Sequence, residues 1–188
     1  QGELGYELYI PTEFAPTTFD ALLEAGRDLG VKLAGMQTLN TLRIEKGYRD
    51  YGHDIDLTDT PLEAGLSFIV DFNKPNGFIG KTALLKQKDA GPLKKRFVQL
   101  ILDDPEPLLY YGEMIYRNGK IVGYVRSGAY GFTLGGALAL SIIEDDEPIN
   151  EEYIRNSKFE IEVNNVMYSA RASLRPMYDP KNERVKNN

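Results

Sequence analysis

A change of hydrophobic pattern at Gly91-Pro92 narrows the choice of fold more than anything else in the sequence. Before it, apolar residues recur at helical spacing and a glycine lies at or near the end of each amphipathic run; the runs are 19–30, 31–48 and 80–91. After it, short runs rich in β-branched residues alternate with hairpin-turn signals at Asn118-Gly119 and Asn164-Asn165. The pattern predicts an α+β fold, in which an α/β part (residues 1–91) precedes a small antiparallel β-barrel (92–177) and a polar tail (178–188).

Two segments of the first part are predicted to be strands. Residues 4–10 alternate, so one face is expected to hold the strand to the core: Leu4, Tyr6, Leu8 and Ile10. The segment GLSFIVDF at 65–72 is predicted to be a buried strand. In the helical run 31–48, the side expected to be buried is formed by Met36, Leu39, Leu42 and Ile44.

The composition argues against several classes of function. The 188 residues carry a net charge of −6 and a pI of about 5.0, whereas a nucleic-acid-binding face is usually basic. There is no cysteine, and the single histidine, His53, cannot form a His-rich metal site. No apolar run approaches the roughly 20 residues that a transmembrane helix needs. We therefore expect no nucleic-acid partner, no metal and no membrane span.

Two further stretches have both a structural and a functional interpretation. GAYGFTLGG at 128–136 lacks the lysine of a phosphate loop, so its glycines are predicted to serve tight turns between strands. The charged cluster LRIEKGYRDYGHDID at 42–56 is typical of a solvated, salt-bridged face. In the alternative interpretation, Tyr51, His53 and Asp54 line a pocket, because polar residues in a loop after a helix often carry function.

Glu7 is a carboxylate in the middle of the first predicted strand. In one interpretation it points to solvent on a half-exposed sheet. In the other it is buried and paired, because an unpaired buried charge is very costly. A carboxylate presents two acceptor oxygens in one plane, which match the 2-amino-4-oxo edge of a pterin or of guanine. Gly5 lies on the same face and would leave room for a flat ring.

Several motifs in the same order resemble the aminomethyltransferase family, whose type member is the T-protein of the glycine cleavage system. The motifs are Gly2-Glu3-Leu4-Gly5-Tyr6-Glu7, Arg43-Ile44-Glu45-Lys46-Gly47, Tyr51-Gly52-His53-Asp54 and Thr60-Pro61-Leu62-Glu63-Ala64-Gly65-Leu66. The segment 116–134 is similar to the barrel signature of the same family. Within these motifs the sequence is most similar to the branch of the family with a fused folate domain, that of sarcosine and dimethylglycine dehydrogenases.

The resemblance implies a function and a set of site residues. Residues 1–91 would be the C-terminal portion of a folate-binding domain. The family's pterin-recognising glutamate falls on Glu7, and Gly5, Tyr51 and Asp54 are expected to complete the contacts with tetrahydrofolate. In that branch an FAD domain oxidises an N-methyl amine, and the folate domain takes up the one-carbon unit as 5,10-methylene-tetrahydrofolate.

The resemblance also implies that the chain is a C-terminal fragment. The family's catalytic aspartate falls before Gln1, so no catalytic residue is expected here, and the isolated chain is expected to be inactive. FAD would belong to a missing N-terminal domain, and the missing half of the folate domain would pack on residues 1–75. The location implied is the cytoplasm of a bacterium or the mitochondrial matrix of a eukaryote.

One departure from the family pattern leaves a second function open. Many relatives carry an arginine in an Ala-Arg-Asp sequence before the Arg-Leu-Glu motif, where this chain has Leu39. The alternative is a binding or regulatory module that keeps the fold without the one-carbon reaction. A third hypothesis, paired carboxylates of Glu7 and Asp54 acting on a sugar or a nucleotide, has no spacing to support it.

Overall fold

The computed structural model describes residues 5–186. The helices are α1 (Ala15–Gly26), α2 (Met36–Glu45), α3 (Lys81–Asp89), α4 (Glu151–Arg155) and α5 (Glu183–Lys186), with 3₁₀ turns at Thr12–Phe14, Arg27–Leu29 and Ser67–Ile69. The strands are β1 (Lys95–Leu102), β2 (Met114–Arg117), β3 (Lys120–Tyr124), β4 (Ser127–Gly131), β5 (Gly136–Glu144), β6 (Phe159–Val163) and β7 (Val166–Ser173). The expected α+β class, with helices first and antiparallel strands after residue 94, is confirmed.

The seven strands form one antiparallel sheet that curls into a half-open barrel, in the order β3-β2-β6-β7-β1-β5-β4. The curl brings β3 back against β5, where Ser141 Oγ donates to the carbonyl oxygen of Tyr124 at 2.6 Å. A Cβ at Gly123 would lie 2.9 Å from the carbonyl oxygen of Ile142, so this close approach favours glycine. The hairpins at Asn118-Gly119 and Asn164-Asn165 turn through positive φ angles, as the sequence predicts.

Strands β1 and β5 are buried on both faces, which explains why they read as nearly continuous apolar runs. One face belongs to the core of the barrel and includes Val98, Leu100, Ala139 and Ile143. The other face forms a second cluster with Ile44 of α2, made of Phe97, Ile101, Leu138, Leu140 and Ile142. Helix α2 therefore packs on the outside of the barrel through its C-terminal end.

Buried polar groups strengthen this contact between α2 and the barrel. Gln99 of β1 donates its side-chain amide to the carbonyl oxygens of Ile44 and Glu45, at 2.7 and 3.0 Å. The Glu45 carboxylate accepts the N–H groups of Thr133 and Leu134, at 2.7 and 3.0 Å, in the turn between β4 and β5. Because these groups are out of water, each bond satisfies a donor or an acceptor that would otherwise be costly to bury.

The segment after residue 177 is more than a polar tail, because it is tied to α2. Lys46 is fully buried, and its Nζ donates to the Asp179 carboxylate at 2.9 Å and to the Asp179 carbonyl oxygen at 2.6 Å. The same carboxylate accepts the N–H group of Glu183 at 2.8 Å, at the start of α5. The ion pair holds the pKa of Asp179 below its usual value, since the hydrogen bond from Lys46 favours the charged form.

Both strands predicted in the first part are wrong for the residues described. Residues 5–10 form no strand, and Tyr6 and Leu8 are exposed, because no neighbouring strand among residues 5–186 pairs with them; Leu4 lies outside the described residues. Residues 65–72 fold into turns and a 3₁₀ helix instead of a strand. There several N–H groups bond locally, for example from Leu66 to the Pro61 carbonyl at 2.8 Å and from Val70 to the Ser67 carbonyl at 3.2 Å, instead of pairing with a neighbouring strand.

The predicted buried side of α2 is right at one position and wrong at three. Ile44 is fully buried, whereas Met36, Leu39 and Leu42 are exposed. The reason is that only the last turn of α2 reaches the barrel. The predicted helix end at Gly30 is confirmed, since Gly30 follows α1 and its 3₁₀ extension at a φ of 74°. The helix predicted within 80–91 is also confirmed, as α3. Among residues 5–186, no helix has the length and apolar character to cross a membrane.

Candidate ligand-binding cleft

A cleft of about 960 Å³ opens between α2 and the barrel. Its helical side consists of residues from the first two turns of α2 and the loop after it, from Met36 to His53. Its barrel side consists of the segment Leu108 to Tyr111 and the start of β4, from Arg126 to Tyr130. The walls combine aromatic and aliphatic side chains with a few charged groups. This volume and lining are typical of small-molecule sites, which span roughly 300–1,000 Å³.

Gly128 determines how the barrel side of the cleft is built. A Cβ at this position would lie 2.2 Å from the carbonyl oxygen of Leu109 and 2.7 Å from the backbone nitrogen of Tyr110. Because both atoms belong to the backbone, they cannot move aside as a flexible side chain would. The absence of a side chain therefore allows the segment 108–111 to lie directly on β4, and this places Tyr110 and Tyr111 at the cleft.

Arg43 forms part of the wall and is held by a buried carboxylate. Its Nη1 donates to Asp54 Oδ2 at 2.5 Å, and its Nη2 donates to Ser127 Oγ of β4 at 3.1 Å. The same Asp54 oxygen accepts the N–H group of Asp50 at 2.8 Å. The Asp54 side chain is fully buried and that of Arg43 is 12% exposed. This ion pair therefore joins α2, the loop after it and the barrel.

Arg126 is held in a similar way from the barrel side. Its Nη1 donates to Asp59 Oδ2 at 2.6 Å and to the carbonyl oxygen of Asp54 at 2.9 Å. Lys95 forms a second ion pair with Asp59 at 2.8 Å. Burial alone would raise the pKa of Asp59, but the hydrogen bonds from Arg126 and Lys95 hold that pKa below its usual value. Asp59 therefore remains charged at neutral pH.

Arg49 is the third arginine that lines the cleft, and it is held differently. Its Nε donates to the Ala64 carbonyl oxygen at 3.0 Å, and its Nη1 donates to the Gly47 carbonyl oxygen at 2.8 Å. The guanidinium lies over the ring of Phe97, 4.0 Å from its centroid. Within residues 5–186 it forms no ion pair with a carboxylate. Burial lowers the pKa of Arg49 to about 10, which still leaves the side chain charged at neutral pH.

The residues singled out from the sequence lie in different places. Gly5 and Glu7 are exposed in the segment before α1 and do not line the cleft; Glu7 accepts a hydrogen bond from the Tyr9 hydroxyl at 3.0 Å. His53 lines the cleft, Tyr51 is 63% exposed and is not among the lining residues, and Asp54 pairs with Arg43 of the wall. The structure thus brings His53 and Asp54 near the cleft. The folate contacts expected of these residues stay predictions.

The Thr60-Pro61-Leu62-Glu63 motif has a local structural role. The N–H group of Thr60 donates to the Glu63 carboxylate at 2.9 Å, and the N–H group of Glu63 donates to the Thr60 hydroxyl at 3.2 Å. This reciprocal pair is a capping box. The Glu63 carbonyl oxygen also accepts the N–H group of Phe97 at 2.7 Å, which anchors the loop to β1.

Sequence reasoning missed the barrel side of the cleft. Tyr110, Tyr111, Arg126 and Tyr130 line it, and they lie far along the chain from α2. A signal was present in the pair Tyr110-Tyr111, two adjacent aromatic residues in a loop that contains prolines. Among residues 5–186, no cluster of histidine and acidic side chains is arranged to hold a metal ion.

The fold and the cleft define an α+β protein in which a helical part packs on a C-terminal barrel and a cleft opens between them. Two family models match the sequence: "GCVT N-terminal domain" over residues 1–74 and "Glycine cleavage T-protein C-terminal barrel domain" over residues 95–179. The chain belongs to the glycine cleavage T-protein family. This confirms the resemblance read from the motifs.

Two curated relatives define the branch of the family. The 4-methylaminobutanoate oxidase (formaldehyde-forming) of Paenarthrobacter nicotinovorans is 46% identical over 185 residues, which cover 98% of this chain and 22% of that protein. Mitochondrial sarcosine dehydrogenase of Homo sapiens is 37% identical over 187 residues, which cover 98% of this chain and 20% of that protein. The chain is thus an aminomethyltransferase-like domain related to sarcosine and dimethylglycine dehydrogenases, and it spans about a fifth of the length of these relatives.

A solved structure supports the fold. The crystal structure of glycine cleavage system aminomethyltransferase T from Bartonella henselae matches with a TM-score of 0.75 and 23% sequence identity. The match covers 91% of this chain and 45% of that one.

Proposed function

We propose that this domain binds tetrahydrofolate as the C-terminal part of a flavoenzyme that oxidises an N-methyl amine. In this proposal the folate takes up the one-carbon unit released by the oxidation, and 5,10-methylene-tetrahydrofolate is formed. The flavin and the amine belong to a part of the protein that this chain does not contain. The relatives named as an oxidase of 4-methylaminobutanoate and as sarcosine dehydrogenase support this class of substrate.

The observation that carries the proposal is the cleft between α2 and the barrel. Its volume of about 960 Å³ is sufficient for a ligand of the size of tetrahydrofolate. Tyr48, Tyr110 and Tyr130 offer aromatic surface to flat rings, and Met36 and Leu39 offer aliphatic surface. Arg49 at the wall, which forms no ion pair within residues 5–186, suits a ligand that carries negative charge. These residues fit the chemical character of a folate, which joins a flat pterin and an aromatic ring to an anionic tail.

Glu7 is proposed to anchor the pterin, although it is not among the residues that line the cleft. Its Oε2 accepts only the Tyr9 hydroxyl among residues 5–186, and Oε1 has no hydrogen-bond partner there. A carboxylate with free acceptor positions suits the paired N–H donors of the 2-amino-4-oxo edge. Gly5, Tyr51 and Asp54 are proposed to act in the same site, Asp54 through its ion pair with Arg43.

The chain's own residues would bind and orient the folate rather than perform the redox step. Bound tetrahydrofolate would supply the nucleophilic nitrogens that accept the one-carbon unit. The cleft would exclude water from one side of the ring system, and Arg43 and Arg126 would keep that wall fixed through Asp54 and Asp59.

Calorimetric titration of the full-length protein with tetrahydrofolate tests the proposal. We expect the wild type to bind, and Glu7→Gln to lose about 2–5 kcal/mol of binding free energy, that is at least about 30-fold in affinity. Glu13→Gln, an exposed carboxylate in the same segment, is the matched control and should bind as the wild type does. If Glu7→Gln binds tetrahydrofolate as tightly as Glu13→Gln and the wild type do, the role given to Glu7 is wrong. If the wild type does not bind tetrahydrofolate, the folate proposal is rejected.

A second candidate is a domain that keeps the fold without capturing the one-carbon unit. The relative whose name states that it forms formaldehyde favours this reading, and so does the apolar Leu39 at the cleft wall. The two candidates differ in their product. If the full-length protein releases the same yield of formaldehyde with and without tetrahydrofolate, the second candidate is correct.

A further inference from the structure

The three arginines that line the cleft differ in how their charge is balanced. Arg43 has Asp54 at 2.5 Å, and Arg126 has Asp59 at 2.6 Å. Arg49 has no such partner among residues 5–186. The positive charge of Arg49 at the cleft is therefore the one that no ion pair neutralises within the described part of the chain.

The hydrogen-bond donors of Arg49 are also incompletely used. A guanidinium carries five N–H groups in a planar fork. Two of them donate, one to Ala64 and one to Gly47, and both acceptors are backbone carbonyl oxygens. The other three have no hydrogen-bond partner within residues 5–186. The guanidinium thus keeps free donors in a side chain that lines the cleft.

The position of this guanidinium is fixed before any ligand arrives. The two carbonyl acceptors hold Nε and Nη1, and the ring of Phe97 supports the plane at 4.0 Å. Gly65, at a φ of 67°, makes room for it, since a Cβ there would lie 2.7 Å from Nη2. A preorganised fork loses little side-chain entropy on binding, which favours a bidentate contact with a carboxylate.

The carboxylate of Asp50, the next residue in the sequence, does not form an ion pair with the Arg49 guanidinium. Asp50 also lines the cleft, but its carboxylate faces His53, with 3.2 Å between Oδ2 and Nδ1. Burial disfavours the charged form of Arg49, and the negative charge of Asp54, which does not contact the guanidinium directly, offsets this only in part, since the pKa of Arg49 stays below its usual value. A ligand that brings a carboxylate to this wall would offset the remaining cost.

We propose that Arg49 forms a carboxylate-binding subsite of the cleft, which takes a carboxylate of the ligand's glutamate tail. This inference rests on the proposed function, since tetrahydrofolate is the ligand whose tail carries that group. Arg49 then selects folates with an intact, charged tail over neutral analogues, while the rings bind elsewhere in the cleft.

The test compares tetrahydrofolate with its bis-amide, in which both tail carboxylates are neutral. In calorimetric titrations of the full-length wild type, we expect tetrahydrofolate to bind about tenfold more tightly than the bis-amide. Arg49→Gln should lose about tenfold in affinity for tetrahydrofolate and stay within about twofold for the bis-amide, so the preference disappears. Arg49→Lys keeps the charge without the planar fork, so its affinity for tetrahydrofolate should lie between those of the wild type and of Arg49→Gln.

The control and the contrary outcomes separate this subsite from a merely structural role and from the proposed function. Arg171→Gln removes the same charge from an exposed strand of the barrel and should leave both affinities unchanged. If Arg49→Gln lowers the affinity for both ligands equally, or if the wild type binds both with the same affinity, the proposed subsite is wrong while the proposal of folate binding stands. If the wild type binds neither ligand, the proposed function falls and the subsite falls with it.

Discussion

At the scale of single residues, Asp54 is the carboxylate on which the shape of the cleft depends most. It is fully buried and pairs with Arg43, whose side chain is almost as inaccessible. Removing one partner of a buried ion pair leaves the other charge uncompensated, which typically costs 3–5 kcal/mol. We therefore expect Asp54→Ala to lower the free energy of unfolding by about 3–5 kcal/mol, as measured by urea denaturation.

A surface ion pair gives the comparison. Asp103 and Arg171 lie 3.0 Å apart with side chains that are 51% and 70% exposed, so Asp103→Ala should cost no more than about 1 kcal/mol. Replacing both partners of the buried pair, in Arg43→Leu with Asp54→Leu, should cost less than Asp54→Ala alone. Losses of similar size for Asp54→Ala and Asp103→Ala would show that the buried pair does not hold the loop after α2.

At the scale of elements, α2 is positioned by its last turn. Gln99 bonds the carbonyl oxygens of Ile44 and Glu45 and accepts the N–H group of Met177 at 2.6 Å, so one side chain joins β1, α2 and the chain after β7. Gln99→Leu would leave these buried groups unpaired. We expect a loss of about 3 kcal/mol in unfolding free energy and faster amide hydrogen exchange in the last turn of α2.

The matched control lies on a neighbouring strand. Ser169→Ala changes an exposed side chain of β7 and should alter neither the unfolding free energy nor the exchange of α2. If Gln99→Leu destabilises the barrel but leaves exchange at residues 42–46 unchanged, α2 is held by apolar contact at Ile44 alone.

The elements also show what the sequence can predict. Strand β5 and the turn at Asn118-Gly119 follow from local patterns, because a short apolar run and turn chemistry act over a few residues. The buried side of α2 does not follow, since amphipathic spacing cannot say which end of a helix meets the barrel. The cleft depends on contacts such as that of Arg43 with Ser127, which join distant parts of the chain and leave no mark in either segment.

At the scale of the whole molecule, the barrel has a complete core whereas the helical part does not. The apolar residues on the inner face of the barrel are buried in one contiguous cluster. In contrast, residues 5–42 expose many large apolar side chains, among them Phe19, Leu22, Leu29, Leu33 and Met36. Monomeric proteins rarely expose apolar patches of this kind without a partner. This surface supports the proposal that a further part of a longer chain, the other half of the folate domain, covers it.

The exposed apolar surface can be tested in two contexts. Leu29 and Leu33 are 84% and 71% exposed, so replacing both by serine in the isolated 188 residues should lower binding of the dye ANS and reduce aggregation. In the full-length protein the same double change should instead destabilise the fold, because it removes buried contacts and lowers the melting temperature by several degrees. Ile121→Ser with Val166→Ser, at exposed positions of the barrel, should have little effect in either context. A full-length protein that tolerates both double changes equally well would mean that residues 29–33 face solvent there too, and that the other half of the domain packs elsewhere.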